Sequence, residues 1–126
     1  MRWIVLLLAL FEAGWFAFDG AHALLTGDYV TPSSGPHAGQ LGPWTALVEG
    51  VGLEPRSHLV MGIHLGLGLV GLACCAAWAR RATRRTWFAM VACAAAGLWY
   101  LPFGTLLGVL QLVLLWRWSV RPGERA

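Results

Sequence analysis

Long apolar runs dominate the chain and fall into four segments. Two of them, residues 3–25 and 57–79, are long enough as helices to cross the roughly 30 Å hydrocarbon core of a bilayer. Two shorter runs, 86–101 and 103–118, are separated by the turn LPFGT. These two predict a helical hairpin whose last helix is opened by Pro102, since a proline needs no intrahelical amide partner at that position.

The alternative for this second half is one kinked helix that covers both shorter runs. Typical spans of about 20 residues favour the hairpin. The pattern therefore predicts an all-α fold, a transmembrane four-helix bundle in a single membrane domain, 1–126.

Residues 27–56 form a long and more polar connection between the first two runs. Its first half is rich in proline and glycine, which favours turns and extended backbone. In its second half Trp44, Leu47 and Val51 recur at helical spacing. This spacing predicts a short amphipathic helix that lies on the membrane surface or caps the bundle.

The composition supports a membrane location. Of 126 residues, 58% are hydrophobic and 12% are charged, and the mean hydropathy is +0.63, whereas about a quarter of the residues of a soluble domain are charged. Most of the eight tryptophans, Trp44 and Trp78 among them, lie near the ends of apolar runs. Aromatic belts form at these positions in membrane proteins. We therefore expect an integral membrane protein in contact with a lipid bilayer.

The charges predict how the chain is oriented. All nine cationic residues are arginine, and all except Arg56 lie at the N-terminus, between the second and third runs, or at the C-terminus. The positive-inside rule places these segments, with both termini, in the cytoplasm of a bacterium whose inner membrane holds the protein, and the loop 27–56 outside. The net charge of +3 suits anionic lipid head groups, and no soluble basic face remains for nucleic acid.

A second interpretation of the N-terminus is a cleaved signal peptide. MRW, an apolar core and the small residues AHA at 21–23 fit that pattern. Against it, Glu12 interrupts the core, and the first helix is needed for an even number of spans.

The first apolar run contains ionisable side chains that are costly in lipid. Glu12 and Asp19 are seven residues apart, about two helical turns, so they share one face, with Trp15 and His22 beside them. The opposite face, which includes Leu6, has no ionisable group. We therefore expect both carboxyls to point into the bundle.

The second run supplies histidines that could face these carboxyls. Antiparallel packing would bring His58 to the depth of His22, and His64 to that of Asp19. The candidate polar pocket consists of Glu12, Asp19, His22, His58 and His64. The candidate metal ligands within it are Asp19, His22, His58 and His64, and two facing histidines could also hold haem. The six-residue spacing of His58 and His64 is not that of a helical metal site.

Small and polar residues in the other runs indicate packing. Gly62 with Gly66, and Gly104 with Gly108, form GxxxG motifs that allow helix backbones to approach closely. Packing within the chain is favoured over homodimerisation. Gln111 is expected to hydrogen-bond to another helix.

The remaining residues with possible chemistry give weaker signals. Cys74, Cys75 and Cys93 lack the CxxC spacing of a redox motif and are interpreted as packing residues. His37 lies in the proline-rich loop and is interpreted as a solvated side chain. Motifs for phosphate binding or covalent catalysis are absent from the sequence.

The stretches FEAGWFAFDGAHALLTGDYVTP, GQLGPW and LPFGTLLGVLQLVLLW carry a resemblance to small bacterial integral membrane proteins of four helices with no assigned activity. The layout is also similar to that of the DoxX-like proteins, some of which are linked to quinone-dependent oxidation. The resemblance covers the architecture of the whole chain and implies no functional residue.

Three functions are compatible with this pattern. The first is an accessory or structural subunit, not an enzyme, whose buried polar groups fix the bundle and whose partners are further copies or a larger membrane complex. The second is a redox or proton-handling protein that binds quinone, metal or haem in the polar pocket. The third is an oligomeric small-molecule transporter built around Glu12, and the sequence does not select a cofactor.

Overall fold

The computed structural model describes residues 2–31, 36, 39, 41–100 and 103–119. Within these residues all regular structure is helical, which confirms the all-α prediction. The five helices are α1 (Arg2–Thr26), α2 (Trp44–Gly50), α3 (His58–Arg80), α4 (Arg84–Ala96) and α5 (Phe103–Ser119). His37 and Pro102, on which two expectations rest, lie outside the described residues.

The helix bounds follow the apolar runs except in α4. The run 86–101 predicts a helix to its end, whereas α4 ends at Ala96. Gly97 follows, and its amide and that of Leu98 bond to carbonyls three residues back, at 3.3 and 3.2 Å. Glycine is a weak helix former, so the chain leaves the helix there and turns through residues 97–100.

The second half of the chain is a hairpin, as predicted, and the single kinked helix is wrong. The indole nitrogen of Trp87, near the start of α4, donates to the carbonyl of Leu115, near the end of α5, at 2.9 Å. At the other end, Thr105 donates to the carbonyl of Leu98. These two contacts require α4 and α5 to run antiparallel.

Helices α1 and α3 are also antiparallel. The guanidinium of Arg2 donates to the carbonyls of Trp78 and Ala79 at 3.3 and 2.7 Å. A cation is favourable at these carbonyls because the C-terminus of a helix carries partial negative charge. The start of α1 and the end of α3 therefore lie at one end of the molecule, which we call the arginine-rich end.

The closest helix contact joins α1 to α3 through residues without bulky side chains. A Cβ atom on Gly68 would overlap the backbone of Ala17, and one on Gly20 would overlap the backbone of Leu65. Gly62 and Gly66, the predicted GxxxG of this helix, instead have open space beside them. The prediction for that motif is wrong, because α3 is rotated so that its other glycines face α1.

The glycines of α5 pack as predicted. A Cβ atom on Gly104 would meet the Gly97 carbonyl, and one on Gly108 would meet the side chain of Leu98 and the carbonyl of Ala94. This GxxxG therefore serves contact between α4 and α5 within one chain.

Two of the expected interface tryptophans are buried. Trp78 is 0% exposed and Trp44 3% exposed, while Trp3 and Trp116 are open to the surroundings. Leu6, predicted on the outward face of α1, is also buried. It packs with Trp78 in the core at the arginine-rich end, where the buried face of α1 is broader than its polar stripe.

By length and composition, α1 and α3 could cross a membrane, and α5 is a shorter apolar helix. The short helix α2 forms where the loop pattern predicts it and buries Trp44 and Val48. These side chains pack against the end of the bundle that is opposite the arginine-rich end.

Replacing Gly68 with alanine should push α1 and α3 apart, because the added methyl group would overlap Ala17. Overpacking of this kind costs about 1–3 kcal/mol, so unfolding in detergent, followed by tryptophan fluorescence, should begin at lower temperature. The matched control is Gly66→Ala, since no atom lies within 4 Å of its new methyl group. This control should equal or slightly exceed the wild type, and equal destabilisation of both variants would contradict the described packing.

Candidate functional site

The five candidate residues occupy different places and do not form one pocket. Asp19 and His64 lie together near the end of the bundle under α2, and both are buried. Glu12 lies two turns deeper on α1. His22 is half-buried beside the loop, and His58 is exposed at the first position of α3. The expected convergence therefore fails for His58, because that side chain is exposed.

Asp19 holds the chain that follows α1. Its Oδ1 atom accepts a hydrogen bond from the amide of Val30 at 2.8 Å, and the hydroxyl of Tyr100 lies 3.5 Å from its other oxygen. The side chain is only 2% exposed. The hydroxyl of Tyr100 also accepts from the indole nitrogen of Trp15 at 2.9 Å. This carboxyl is thus occupied with contacts inside the chain.

His64 lies at the centre of an aromatic cluster. Its Nδ1 atom is 2.9 Å from the carbonyl of Val60, which can only accept, so Nδ1 carries a proton. The ring is 0% exposed. Five aromatic rings surround it with centroids 4.8 to 5.6 Å away, and we call them the outer aromatic cluster: Phe16, Tyr29, Trp44, Trp99 and Tyr100.

The outer aromatic cluster joins the loop to the helices. Trp44 comes from α2, and Tyr29 from the segment after α1. The hydroxyl of Tyr29 donates to the carbonyl of Pro55 at 2.6 Å. Burial raises the pKa of this hydroxyl, so it stays protonated and remains a donor. These contacts therefore hold the loop 27–56 against the end of the bundle.

His22 and Asp28 belong to the edge of this loop. Nδ1 of His22 lies 3.0 Å from the backbone carbonyl of Asp28, and its ring stacks on Phe18. The side chain of Asp28 pairs with Arg56 at 2.9 Å, with both groups about half exposed. Arg56 also donates to the carbonyl of Gly39 at 3.0 Å. These contacts order the loop, and none of them joins His22 to another histidine among the described residues.

The candidate metal ligands are not assembled into a site. Across residues 2–31, 36, 39, 41–100 and 103–119, no three histidine, cysteine, aspartate or glutamate side chains are grouped so that they could hold a metal ion.

Glu12 differs from Asp19 because only one of its oxygens has a partner. Near the middle of α1, its Oε2 atom accepts from the amide nitrogen of Gln111 at 2.7 Å. This bond confirms that Gln111 reaches another helix. The Oε1 atom is buried and has no hydrogen-bond partner among the described residues. It lies against Gly97, where a Cβ atom would overlap it.

A cleft opens beside this carboxyl. Its volume is about 210 Å³, and its walls are largely apolar. Residues from four helices line it, and we call it the Glu12 cleft. Its lining includes Glu12, Phe16, Cys93, Gly97 and Gln111. A second cleft of similar volume lies between α1 and the start of α5, and Glu12 and Phe16 line this cleft as well.

Two features of this region were missed by sequence reasoning. Gln111 was expected to hydrogen-bond to another helix, but nothing in its surroundings along the chain identifies Glu12 as its partner. The Sγ atoms of Cys74 and Cys93 lie 3.2 Å apart on neighbouring helices, although their spacing along the chain matches no redox motif. Both contacts depend on how the helices are rotated, which a single sequence does not specify.

Comparison with protein-family models, curated proteins and solved structures finds no match to this chain.

Removing the acceptor at Asp19 should release the loop. In Asp19→Leu the amide of Val30 loses its acceptor, at a cost of about 0.5–1.5 kcal/mol for one hydrogen bond. Asp19→Asn keeps an acceptor oxygen of the same reach and should stay close to the wild type. Unfolding in detergent and limited proteolysis within the loop 27–56 measure the two effects. Wild-type behaviour of Asp19→Leu in both assays would contradict the role of Asp19 in holding the loop.

The Asp28–Arg56 pair should respond to acid. The hydrogen bond from Arg56 is the main cause that lowers the pKa of Asp28. The contribution of the pair is therefore complete above the unfolded-state pKa of about 3.9 and is lost as the pH falls through the lower folded-state pKa. Exposed pairs contribute about 0–1 kcal/mol.

The stability difference between the wild type and Asp28→Asn tests this contribution. It should be measurable at about pH 6 and vanish at about pH 2, where the carboxyl is protonated in both folded and unfolded chains. Glu49→Gln, at an exposed position on α2, controls for the loss of one negative charge. An unchanged difference at low pH would contradict the ion pair.

Proposed function

We propose that this chain is an integral protein of the bacterial inner membrane, in which α1, α3, α4 and α5 cross the bilayer. The distribution of side chains supports this. Large apolar residues such as Leu7, Leu69 and Leu106 are exposed on three helices, while both carboxyls of α1 are buried. A soluble protein has the opposite arrangement, and exposed apolar surface of this extent indicates a lipid or protein environment.

The short hairpin fits this proposal because α2 covers it. As helices, α4 and α5 have 13 and 17 residues, about 20 and 26 Å, less than a hydrocarbon core of about 30 Å. The turn between them carries Trp99 and Tyr100, and the ring of Trp44 in α2 lies 5.7 and 5.6 Å from these rings. The loop 27–56 thus covers the outer end of a hairpin that is shorter than the hydrocarbon core. The arginine-rich end faces the cytoplasm.

We further propose that the Glu12 cleft binds a lipid-soluble molecule of the quinone or quinol class. A carboxyl near the middle of a membrane helix is costly, and only one of the two Glu12 oxygens has a hydrogen-bond partner among the described residues. A hydroxyl of the ligand would donate to the unpaired Oε1 atom, and a carbonyl would accept from Gln111. The apolar walls suit a ring.

The observation that carries this proposal is the unpaired Oε1 atom of Glu12, a residue that lines a cleft of about 210 Å³. The alternative, an accessory subunit without chemistry of its own, is supported by Asp19, whose contacts are internal. The two buried carboxyls therefore distinguish the two functions by experiment.

Replacing Glu12 with glutamine should weaken quinol binding without unfolding the bundle. Gln111 keeps an acceptor oxygen, that of the new side chain at position 12. The ligand hydroxyl, however, loses its hydrogen bond to a carboxylate, which is worth about 1.5–3 kcal/mol. This loss should raise Kd about tenfold or more. Binding of a short-chain benzoquinol under argon, followed by tryptophan fluorescence in detergent, measures the change.

The matched control is Asp19→Asn, which changes a buried carboxyl of the same helix outside the cleft. It should bind the quinol as the wild type does. If the wild type binds no quinol, or if Glu12→Gln binds it equally well, the proposed site is wrong and the accessory role is favoured.

A further inference from the structure

The cysteine pair lies beside the Glu12 cleft. Cys74 belongs to α3 and Cys93 to α4, and their Sγ atoms are 3.2 Å apart as free thiols. A disulfide has sulfur atoms about 2.05 Å apart, so a bond needs an approach of only roughly 1 Å. The short connection between α3 and α4, residues 81–83, keeps the two helices together. The thiols are thus positioned to react with each other.

Cys93 also forms part of the wall of the cleft, as does Glu12. The thiolate is the reactive form of cysteine, and a thiol in apolar surroundings needs a nearby base to form it. We take Glu12 as this base, because its Oε1 atom has no hydrogen-bond partner among the described residues. Cys75 lines the cleft as well, but the short sulfur contact is between Cys74 and Cys93. Cys93 is therefore the thiol that combines a sulfur partner with a place in the wall of the cleft, which Glu12 shares.

We propose that Cys74 and Cys93 are a redox-active pair, oxidised to a disulfide by a quinone bound in the Glu12 cleft. This inference rests on the proposed function, because it requires a quinone to enter the cleft. Both S–H bonds break and one S–S bond forms. The two electrons and two protons released pass to the quinone, which leaves as a quinol. Glu12 takes the proton of Cys93 and delivers it to a quinone oxygen.

The apolar cleft favours a quinone as the oxidant. A lipid-soluble ring with two carbonyl oxygens matches walls that offer one carboxyl and one amide, on Glu12 and Gln111. Such a molecule accepts both electrons and both protons, so no ion has to be left in the apolar interior, where an unpaired charge is costly.

The test uses the full chain, reduced and purified in detergent under argon. Diamide, a general thiol oxidant, tests whether the pair can close, and a short-chain benzoquinone tests the proposed reaction. Both should lower the protein mass by two hydrogens and leave one free thiol, with one quinol formed per disulfide in the quinone experiment. With diamide, the Cys75→Ala variant should still form the disulfide, because Cys75 contributes no sulfur to the pair, and Cys93→Ala should form no internal disulfide.

The Glu12→Gln variant tests the base. With benzoquinone it should react about a hundredfold more slowly, the size of a typical general-base contribution. Reaction at the wild-type rate would overturn the role of the cleft. Failure of diamide to close the pair would overturn the pair itself.

A third result separates this inference from the proposed function. If diamide closes the pair and quinone does not, the redox step is overturned. Measured quinol binding to the wild type then decides by itself whether the binding site stands.

Discussion

The close contact between α1 and α3 determines where the buried polar groups lie. Glycines at positions 20 and 68 allow the two backbones to meet directly, so side chains beside this seam are held at fixed depths. Asp19 and His64 come together at one end of the seam as a result. Glu12 is held near the middle of α1, facing α5 and the turn after α4. A different rotation of α3 would turn His64 away from Asp19.

The two carboxyls of α1 are buried by different means. Asp19 accepts a hydrogen bond from the amide of Val30 in the loop, and the ring of Trp44, also from the loop, packs against the neighbouring His64. Glu12 has a single partner, Gln111, and its other oxygen faces Gly97 and a cleft. Burial of a polar atom without a hydrogen bond is costly. The contacts of the first carboxyl account for its burial, whereas the free oxygen of the second is the basis of the proposed ligand site.

The sequence predicts those features that depend on one helix at a time. The bounds of α1 and α3, the short helix α2 and the burial of Glu12 and Asp19 follow from periodicity and from the cost of charge in lipid. Rotations of one helix about another are different. Helix α3 contains two pairs of glycines, and only Gly68 and Gly71 meet α1. Because Gly62 and Gly66 are also small, the sequence pattern could not tell which pair faces the bundle.

The same limit applies to the candidate site. The aligned depths of Asp19 and His64 follow from antiparallel packing, but their aromatic surroundings come from a loop whose path no periodicity predicts. The contact between Cys74 and Cys93 depends on the register of α3 against α4. A thiol pair beside an unpaired carboxyl and an apolar cleft combines a reductant, a base and space for a lipid-soluble oxidant. Packing alone requires none of the three to adjoin the others, which is why we assign chemistry to this region and structure to Asp19.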